Sequence, residues 1–329
     1  MTTVSRPLRL ALLGHGFIGK IHEHAALACG QQVMRIARSD DDWRAAVDDD
    51  DIDAVIVATP NALHHPQAMA ALAAGKHVLI DKPMAISATE AREIADAAAT
   101  AERTLLVGHM WRYRDEVIAT RNAIAAGSVG TPAHTIGWGV HAGWGPGGWF
   151  TDSALSGGGA LIDMGIHAID TARFLLGDPQ PTVVSAALGS VYEGHGYDRT
   201  NGIDDDGLVL VQWAGGALNL SSAWSAVNSG WWQPLLDGVE ADTHVYGSSG
   251  TVRIWPDLLV DGAIPTGYVH CSLPMYTAQM ADFVRCCHTG DTPIASAEVG
   301  LTALQIVEDA YQAAGWRSLT IDTVAREYR

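Results

Sequence analysis

Basic residues and cysteines are scarce in this chain of 329 residues. It carries 20 Lys and Arg against 37 Asp and Glu, a formal net charge of −17. A nucleic-acid-binding surface would need a basic stripe, so the charge balance argues against a nucleic-acid partner. The four cysteines form no C-x-x-C pair, and they are Cys29, Cys271, Cys286 and Cys287. This usage favours reduced thiols and a cytoplasmic location.

Long apolar runs and several catalytic signatures are also missing. No run approaches the ~20 apolar residues of a membrane span, so we expect no membrane contact. The short apolar run near the N-terminus ends in glycines, which is typical of a first strand rather than a signal peptide. Neither the H-E-x-x-H signature of zinc enzymes nor the G-x-S-x-G elbow of serine hydrolases occurs. We therefore expect no metal site and a chemistry of another class.

The first part of the chain alternates between strand-like and helix-like patterns. Apolar strands such as "IDAVIVATPN", "KHVLID" and "RTLLVGHM" are separated by helical stretches such as "HHPQAMAALAAG". This alternation predicts right-handed βαβ units around a parallel sheet. We assign residues 1–112 to this domain.

Residues 113–329 show a different pattern. Alternating runs such as "DGLVLVQWAGGALNLSSAWSA" carry hairpin-like glycines, and two amphipathic helices follow them. These features predict an antiparallel sheet with helices. The expected fold class is therefore α/β: an N-terminal Rossmann-type parallel sheet, then a C-terminal α+β domain with an antiparallel sheet.

The stretch "GHGFIG" follows a strand and precedes a helix, the required setting for the G-x-G-x-x-G motif. In this motif the first glycine makes a tight turn, the second lets the backbone approach a pyrophosphate, and the third lets helix and strand pack closely. The helix N-terminus adds hydrogen-bond donors for an anion. The expected cofactor loop comprises Gly14, His15, Gly16, Phe17, Ile18 and Gly19.

The end of the second strand indicates which cofactor binds. NAD-binding proteins place an acidic residue there for the ribose hydroxyls, whereas this chain has Arg38 followed by Ser39. A guanidinium can bind a 2′-phosphate with two hydrogen bonds, so NADP is favoured over NAD. In the alternative, Arg38 is a solvated charge and Asp40 or a neighbour holds the ribose.

Three polar residues are candidates for catalysis because of their positions in the sequence. Lys82 follows a strand in "DKPMA", at the strand end where doubly wound sheets bind ligands. Asp163 and His167 interrupt the apolar run "GGGALIDMGIHAID", and their spacing of four places them on one helix face. Histidine can accept and return a proton at neutral pH. The alternative is a buried Asp–His pair that ties two elements together.

Several stretches together resemble the glucose–fructose oxidoreductase / inositol dehydrogenase / MocA family. They include "GHGFIGKIH", "VIVATPNALHHPQAMAALAAGKHVLIDKPMA" and "GGGALIDMGIHAIDTARFLLGDP". The resemblance implies hydride transfer between NAD(P) and a carbon of a sugar, cyclitol or related cyclic alcohol. It matches Lys82 to the family lysine and Asp163 and His167 to the family D-x-x-x-H pair. It also implies that residues 1–112 form a dinucleotide-binding Rossmann domain and that residues 113–329 form a domain for substrate binding and oligomerisation with an open antiparallel sheet. A homodimer or homotetramer would form through the exposed face of that sheet.

The same resemblance implies further site residues. Thr59, Pro60, Asn61 and His64 would line the cofactor, with Asp81 and Lys82 beside them, and His109 would contact cofactor or substrate. From the tryptophan-rich stretch before residue 151 we select Trp149 as a wall of the substrate pocket. Tyr276 is a second pocket candidate and Trp231 a third.

The chain departs from the family pattern after its second strand. The second strand runs directly into "DDWRAAV", so one helix–strand unit of the Rossmann half is missing. This shortening leaves two other hypotheses open: a redox-neutral, NAD-using sugar hydrolase or epimerase of the same family, and a non-catalytic cofactor sensor or partner protein. The residues do not decide whether Lys82 or His167 is the general base.

Overall fold

The computed structural model describes residues 6–38, 42–141, 147–190, 201–231, 242–254 and 273–316. Its strands are β1 (Arg9–Leu13), β2 (Gln32–Ala37), β3 (Ala54–Val57), β4 (His77–Ile80), β5 (Leu105–Val107), β6 (Pro132–Val140), β7 (Gln180–Gly189), β8 (Asp206–Gly215), β9 (Leu220–Gly230), β10 (Asp242–Gly247) and β11 (Thr251–Arg253). Its α-helices are α1 (Phe17–Ala28), α2 (Trp43–Val47), α3 (His64–Ala73), α4 (Ala88–Ala101), α5 (Asp115–Ala125), α6 (Ser153–Ser156), α7 (Ile166–Leu175), α8 (Leu273–Thr289) and α9 (Ala297–Ala313).

The described residues form two compact units. The first draws on residues 1–114 and 271–301, and the second on residues 115–270 and 302–329. The tail expected in the second domain is thus divided, since α8 packs on α1 of the first unit. Cys29 donates its thiol to the Thr277 carbonyl at 3.4 Å, and the rings of His22 and Tyr276 meet edge to face with centroids 5.3 Å apart.

The first unit contains the predicted parallel sheet, with strand order β2-β1-β3-β4-β5. The strands β3 and β5 are buried along their whole length, which explains their continuous apolar runs. β2 lies at the edge of the sheet, and no described strand pairs with its outer side. This is the position left by the helix–strand unit that the sequence lacks.

The helices of the first unit begin and end at residues that suit those positions. Ser87 caps α4 by accepting a hydrogen bond from the backbone N–H of Glu90 at 3.2 Å, and the Glu90 carboxylate accepts one from the N–H of Ile86 at 3.3 Å. Gly75 follows α3 with a φ of +71°, a conformation that favours glycine at a helix end. Ser87 and Gly75 therefore fix the start of α4 and the end of α3.

The second unit contains a six-stranded sheet of order β11-β10-β6-β9-β8-β7. Its pairs are antiparallel except β6 with β9, which run in parallel. Sequence alternation alone predicts strands but not their direction, and α7 lies between these two in the chain, as a parallel crossover requires. α7 is buried along its length and packs on β6 and β9.

In the part of the chain that the structure describes, no helix covers the opposite face of this sheet. Along β8 the buried residues Val209, Val211 and Trp213 alternate with outward-facing ones. The outward face exposes large apolar side chains at 41–53% of their surface, and these are Val183, Leu208, Leu210 and Trp224. Among the described helices, none combines the length and apolar character needed to cross a membrane.

Candidate active site

The phosphate loop has the geometry that each of its glycines predicts. Gly14 has a φ of +86°, and a Cβ on it would lie 2.3 Å from the carbonyl oxygen of Ala58. A Cβ on Gly19 would lie 2.2 Å from the carbonyl oxygen of Gly14. A Cβ on Gly16, in contrast, would meet nothing within 4 Å. The outer glycines are therefore required by packing, whereas Gly16 opens the backbone toward solvent where a pyrophosphate can approach.

The residues between these glycines leave the start of α1 accessible. Gly16 is the N-cap of α1, and no side chain caps the helix there. Phe17 is 72% exposed, while Ile18 is half-buried. His15 places its Nε2 2.7 Å from Oε2 of Glu23 and so ties the loop to α1. The backbone N–H groups of a first helical turn without a side-chain cap suit a phosphate, so the loop fits a dinucleotide.

Arg38 lies at the end of the edge strand β2 and is exposed. Ser39 and Asp40 lie outside the described residues. The structure thus puts the guanidinium at the carboxyl end of β2, beside the strand that leads into the phosphate loop.

Thr59, Pro60, Asn61 and His64 lie at and just after the carboxyl end of β3. Thr59 donates its hydroxyl to Oε1 of Gln67 at 2.7 Å. His64 is buried, with Nε2 2.9 Å from the carbonyl oxygen of Thr59 and Nδ1 2.8 Å from that of Pro83. Burial lowers the pKa of His64, so the neutral ring donates to one of these carbonyls at a time. The imidazole links the loop after β3 to the loop that carries Lys82.

Asp81 and Lys82 lie at the carboxyl end of β4, the next strand of the sheet. Asp81 is buried, and its Oδ1 lies 3.9 Å from Nε2 of the buried His22. Burial opposes ionisation of Asp81, yet the imidazole of His22 and the ammonium of Lys82 hold the pKa of this carboxyl below its ordinary value. Lys82 itself is half-buried.

His109 and Tyr276 are both buried within the first unit. His109 follows β5, and a Cβ on the preceding Gly108 would lie 2.5 Å from Oδ1 of Asp81. The ends of β3, β4 and β5 therefore meet at one edge of the sheet, where parallel α/β sheets bind ligands. Tyr276 lies in α8 and contacts the ring of His22, a contact that the sequence did not indicate.

Asp163 and His167 are both buried in the second unit. Asp163 lies in a π-helical turn, Leu161–Gly165, and His167 lies in the first turn of α7. π-Helical turns are rare and are often found at functional sites. Trp231 donates its indole N–H to Oδ2 of Asp163 at 2.8 Å, and His141 Nε2 lies 3.5 Å from the same oxygen. These contacts fix the orientation of the Asp163 carboxylate.

Trp149 lies in the turn Gly148–Thr151, half-buried, and stacks on Phe150 with ring centroids 3.8 Å apart. Residues 142–146, the rest of the tryptophan-rich stretch, lie outside the described residues. Trp231, a weaker pocket candidate in the sequence, is fully buried and contacts Asp163 instead. His141 lies in the same tryptophan-rich stretch, but no sequence signal separates it from the chain's other thirteen histidines.

The glycines before Asp163 allow other residues of the second unit to approach the backbone closely. A Cβ on Gly158 would lie 2.3 Å from the Tyr311 hydroxyl, and one on Gly159 would lie 1.8 Å from the Asp204 carbonyl oxygen. Two buried residues of the same unit therefore require these glycines.

In the described ranges, no group of three His, Cys, Asp or Glu side chains is placed to hold a metal ion. The fold and the phosphate loop define a dinucleotide-binding protein of the Rossmann type. Residues 17–109 match the oxidoreductase family with an NAD-binding Rossmann fold, and residues 117–253 match the GFO/IDH/MocA C-terminal domain. The chain belongs to the Gfo/Idh/MocA oxidoreductase family.

Named relatives agree with this assignment. The levoglucosan dehydrogenase of Pseudarthrobacter phenanthrenivorans is 30% identical over 64% of this chain, and the match spans 66% of that enzyme, just under two thirds. The D-xylose 1-dehydrogenase [NADP(+)] of Haloarcula marismortui is 24% identical over 95% of this chain and 92% of its own. The crystal structure of GenD2 from gentamicin A biosynthesis, in complex with NAD, shares the fold, with a TM-score of 0.78 at 24% identity over 94% of this chain and 95% of that one.

Proposed function

We propose that the protein is an NAD(P)-dependent oxidoreductase that transfers a hydride to or from a carbon of a sugar, a cyclitol or a related cyclic alcohol or ketone. The observation that carries the proposal is the phosphate loop, in which only Gly16 opens toward solvent, in a chain of this family. The names of the relatives, dehydrogenases of levoglucosan and D-xylose, support a polyhydroxylated substrate.

The residues that would hold the dinucleotide lie in the first unit. The loop Gly14–Gly19 would hold the pyrophosphate, with Arg38 and Ser39 toward the adenosine ribose. Thr59, Pro60, Asn61, His64, Asp81 and Lys82 would lie toward the nicotinamide. A bound nicotinamide supplies the hydride acceptor in oxidation and the hydride donor in reduction.

We assign the proton chemistry to Lys82, Asp163 and His167. In the oxidation direction Lys82 and His167 take the proton of the substrate hydroxyl, directly or as a relay, while the hydrogen on the same carbon leaves as hydride. In reduction they return that proton to the carbonyl oxygen. Asp163 is held by Trp231 and orients the substrate or His167. His109, Trp149 and Tyr276 complete our proposed set of substrate-binding residues.

The test compares Lys82→Ala and His167→Ala with the wild type, using a panel of sugars and polyols with NAD and NADP. Each variant should lower kcat by about 100-fold or more, the usual scale of acid–base catalysis. His288→Ala is the control, because His288 is an exposed histidine at the end of α8 and should keep full activity. Unchanged turnover in both variants, or turnover without net formation of reduced cofactor, would overturn the proposal.

For the cofactor we propose NADP in preference to NAD. The proposal is supported by the exposed guanidinium of Arg38 at the end of β2 and by the relative whose name specifies NADP(+). Calorimetric titration of the wild type should give the lower Kd for NADP. A tighter complex with NAD would overturn this assignment.

We further propose that two or four copies assemble through the open sheet face and that the protein is cytoplasmic. The exposed side chains Val183, Leu208, Leu210 and Trp224 support the assembly, since one face carries them all. The free thiols of Cys29, Cys286 and Cys287 are compatible with a reducing compartment. Sedimentation tests the first proposal and cell fractionation the second.

A further inference from the structure

Asp204 holds the start of the helical segment that carries Asp163. It is fully buried, just before β8. Its Oδ1 accepts a hydrogen bond from the N–H of Gly159 at 2.9 Å, and its Oδ2 accepts one from the N–H of Leu161 at 2.7 Å. Its backbone carbonyl accepts the intervening N–H, that of Ala160, at 2.7 Å. One residue thus satisfies three consecutive donors that a helix start leaves unpaired.

Tyr311 completes this arrangement from α9. Its hydroxyl donates to Oδ1 of Asp204 at 2.6 Å and accepts from the N–H of Gly159 at 3.2 Å. The close approach of both residues explains Gly158 and Gly159, since a side chain at either glycine would overlap Tyr311 or Asp204. Asp204 and Tyr311, here called the clamp, therefore leave the glycine segment little freedom to move.

The clamp is one hydrogen bond away from the Asp163 backbone. The N–H of Asp163 donates to the carbonyl of Gly159 at 3.1 Å, and Gly159 is the residue that both clamp side chains contact. His167 follows in the next turn, in α7. A shift of Gly159 would therefore move the π-helical turn and the direction of both side chains.

We propose that Asp204 and Tyr311 are positioning residues that set the orientation of Asp163 and His167. The proposal rests on the catalytic roles proposed above for those two residues. Burial raises the pKa of Asp204 to about 6. At neutral pH the side chain is therefore a fully buried carboxylate. Such a charge is retained only with a full set of donors, and the Gly159 and Leu161 N–H groups and the Tyr311 hydroxyl supply them.

The experiment uses Asp204→Asn and Tyr311→Phe in the full chain, with kcat, KM, cofactor Kd and Tm measured for each. We expect Asp204→Asn to lower kcat by about tenfold and Tyr311→Phe by about threefold, as small displacements of reacting groups do. These losses should persist well below each Tm, where every variant is folded. The Kd for the cofactor should stay unchanged, because the phosphate loop belongs to the first unit.

Tyr113→Phe is the matched control. Tyr113 also donates its hydroxyl to a buried carboxylate, Oδ2 of Asp282 at 2.8 Å, and accepts a backbone N–H, that of Ala295 at 3.2 Å. It makes these contacts in the first unit. If hydroxyl loss acts only through stability, both tyrosine variants will lower Tm and keep kcat. If the clamp positions the catalytic pair, only Tyr311→Phe will lower kcat.

The outcomes separate this inference from the proposed function. If His167→Ala loses activity while Asp204→Asn and Tyr311→Phe keep the wild-type kcat, the clamp inference is wrong and the proposed function stands. If Lys82→Ala and His167→Ala both keep their activity, the proposed function and this inference are both wrong. Should Asp204→Asn fail to fold, Tyr311→Phe against Tyr113→Phe decides the question, since removing one hydroxyl preserves the ring packing at both places.

Discussion

Trp231 donates its indole N–H to Oδ2 of Asp163 over 2.8 Å, with both side chains buried in the second unit. The indole also packs beside Ala160, Met164 and Ile203. The ring is therefore fixed by apolar neighbours, and its N–H in turn fixes one oxygen of the carboxylate. The proposed catalytic aspartate is thus oriented by a rigid donor that lies 68 residues away in the chain.

Trp231→Phe should lower kcat by about fivefold, because it removes one hydrogen bond to a buried carboxylate, worth roughly 1 kcal/mol or more. The phenyl ring retains most of the apolar packing, so the protein should fold. Steady-state kinetics and thermal denaturation measure the two effects separately.

Trp213→Phe provides the control for this prediction. Trp213 is fully buried in the same unit and donates its indole N–H to Oγ of Ser225 at 2.7 Å. Trp213→Phe should reduce Tm about as much as Trp231→Phe does and should leave kcat unchanged. Equal kinetic losses in the two variants would show that Trp231 acts through general stability and not through Asp163.

The three glycines of the phosphate loop should respond differently to alanine. Gly14→Ala should destabilise the fold by more than about 2 kcal/mol, because φ is positive there and a methyl group would overlap the Ala58 carbonyl. Gly16→Ala should leave Tm unchanged, since its methyl group meets no atom of the chain, but should raise the cofactor Kd by about tenfold, or roughly 1.4 kcal/mol. Calorimetry and thermal denaturation of both variants test this contrast.

Gly30→Ala is the useful comparison for these variants. Gly30 also has a positive φ, +72°, but a Cβ there would meet nothing within 4 Å, and it lies after α1, away from the loop. The Gly30→Ala protein should lose a modest amount of stability and bind the cofactor with the wild-type Kd. A Gly16→Ala protein that binds cofactor as well as the wild type does would argue against a pyrophosphate at this loop.

Local sequence patterns predicted the first unit well, because the residues that define the phosphate loop, and those that define each strand and helix, are close together in the sequence. The strand that runs directly into "DDWRAAV" in the sequence is β2, which lies at the edge of the described sheet. The clamp could not be predicted, since residues 159, 204 and 311 meet only in the folded chain and no spacing relates them. The parallel pairing of β6 with β9 escaped prediction for the same reason: alternation reports which face of a strand is buried, not its direction.

Arg38→Asp should reverse the cofactor preference. The guanidinium can bind a 2′-phosphate, whereas a carboxylate repels it and accepts hydrogen bonds from ribose hydroxyls. We expect the Kd for NADP to rise by about tenfold or more, the scale of a charge-assisted hydrogen bond, while the Kd for NAD falls or is unchanged. Arg35→Asp serves as the control, because Arg35 also lies on β2 and pairs with Asp49 at 2.9 Å. A similar loss of NADP binding in both variants would indicate a general charge effect.

Leu210→Glu should convert the proposed oligomer to monomers. Leu210 is 43% exposed in the centre of the open sheet face, and a buried, unpaired carboxylate at an interface is unfavourable by several kcal/mol. Sedimentation velocity measures the change in mass. Leu27→Glu is the control, since Leu27 is also exposed, at 54%, but on α1. A monomeric wild type, or an unchanged mass for Leu210→Glu, would contradict an assembly through this face.

The buried carboxyl of Asp204 should give the protein a measurable dependence of stability on pH. Because the pKa rises from 3.8 to about 6 on folding, the folded state holds a proton between these values that the unfolded state has released. The contribution of Asp204 to the free energy of unfolding therefore falls as pH rises from 4 to 7, by about 2 kcal/mol. Asp204→Asn lacks this titration. As pH rises from 4 to 7, the free energy of unfolding of the wild type should therefore fall relative to that of the variant, and if the variant becomes the more stable of the two, it does so only through this loss in the wild type.

Asp53→Asn should show the opposite dependence when the free energy of unfolding of each protein is measured by urea denaturation at a series of pH values. Hydrogen bonds from Arg6 and Arg9 hold the pKa of Asp53 well below its ordinary value, so its stabilisation is complete above the unfolded pKa and is lost only as pH falls below about 4. The wild type should then exceed Asp53→Asn in stability by a constant amount from pH 5 to 7. The result for Asp204 would be contradicted if the difference in free energy of unfolding between the wild type and Asp204→Asn stayed constant from pH 4 to 7. The pKa of Asp204 would then be the same in the folded and unfolded states, and burial beside Tyr311 would not raise it.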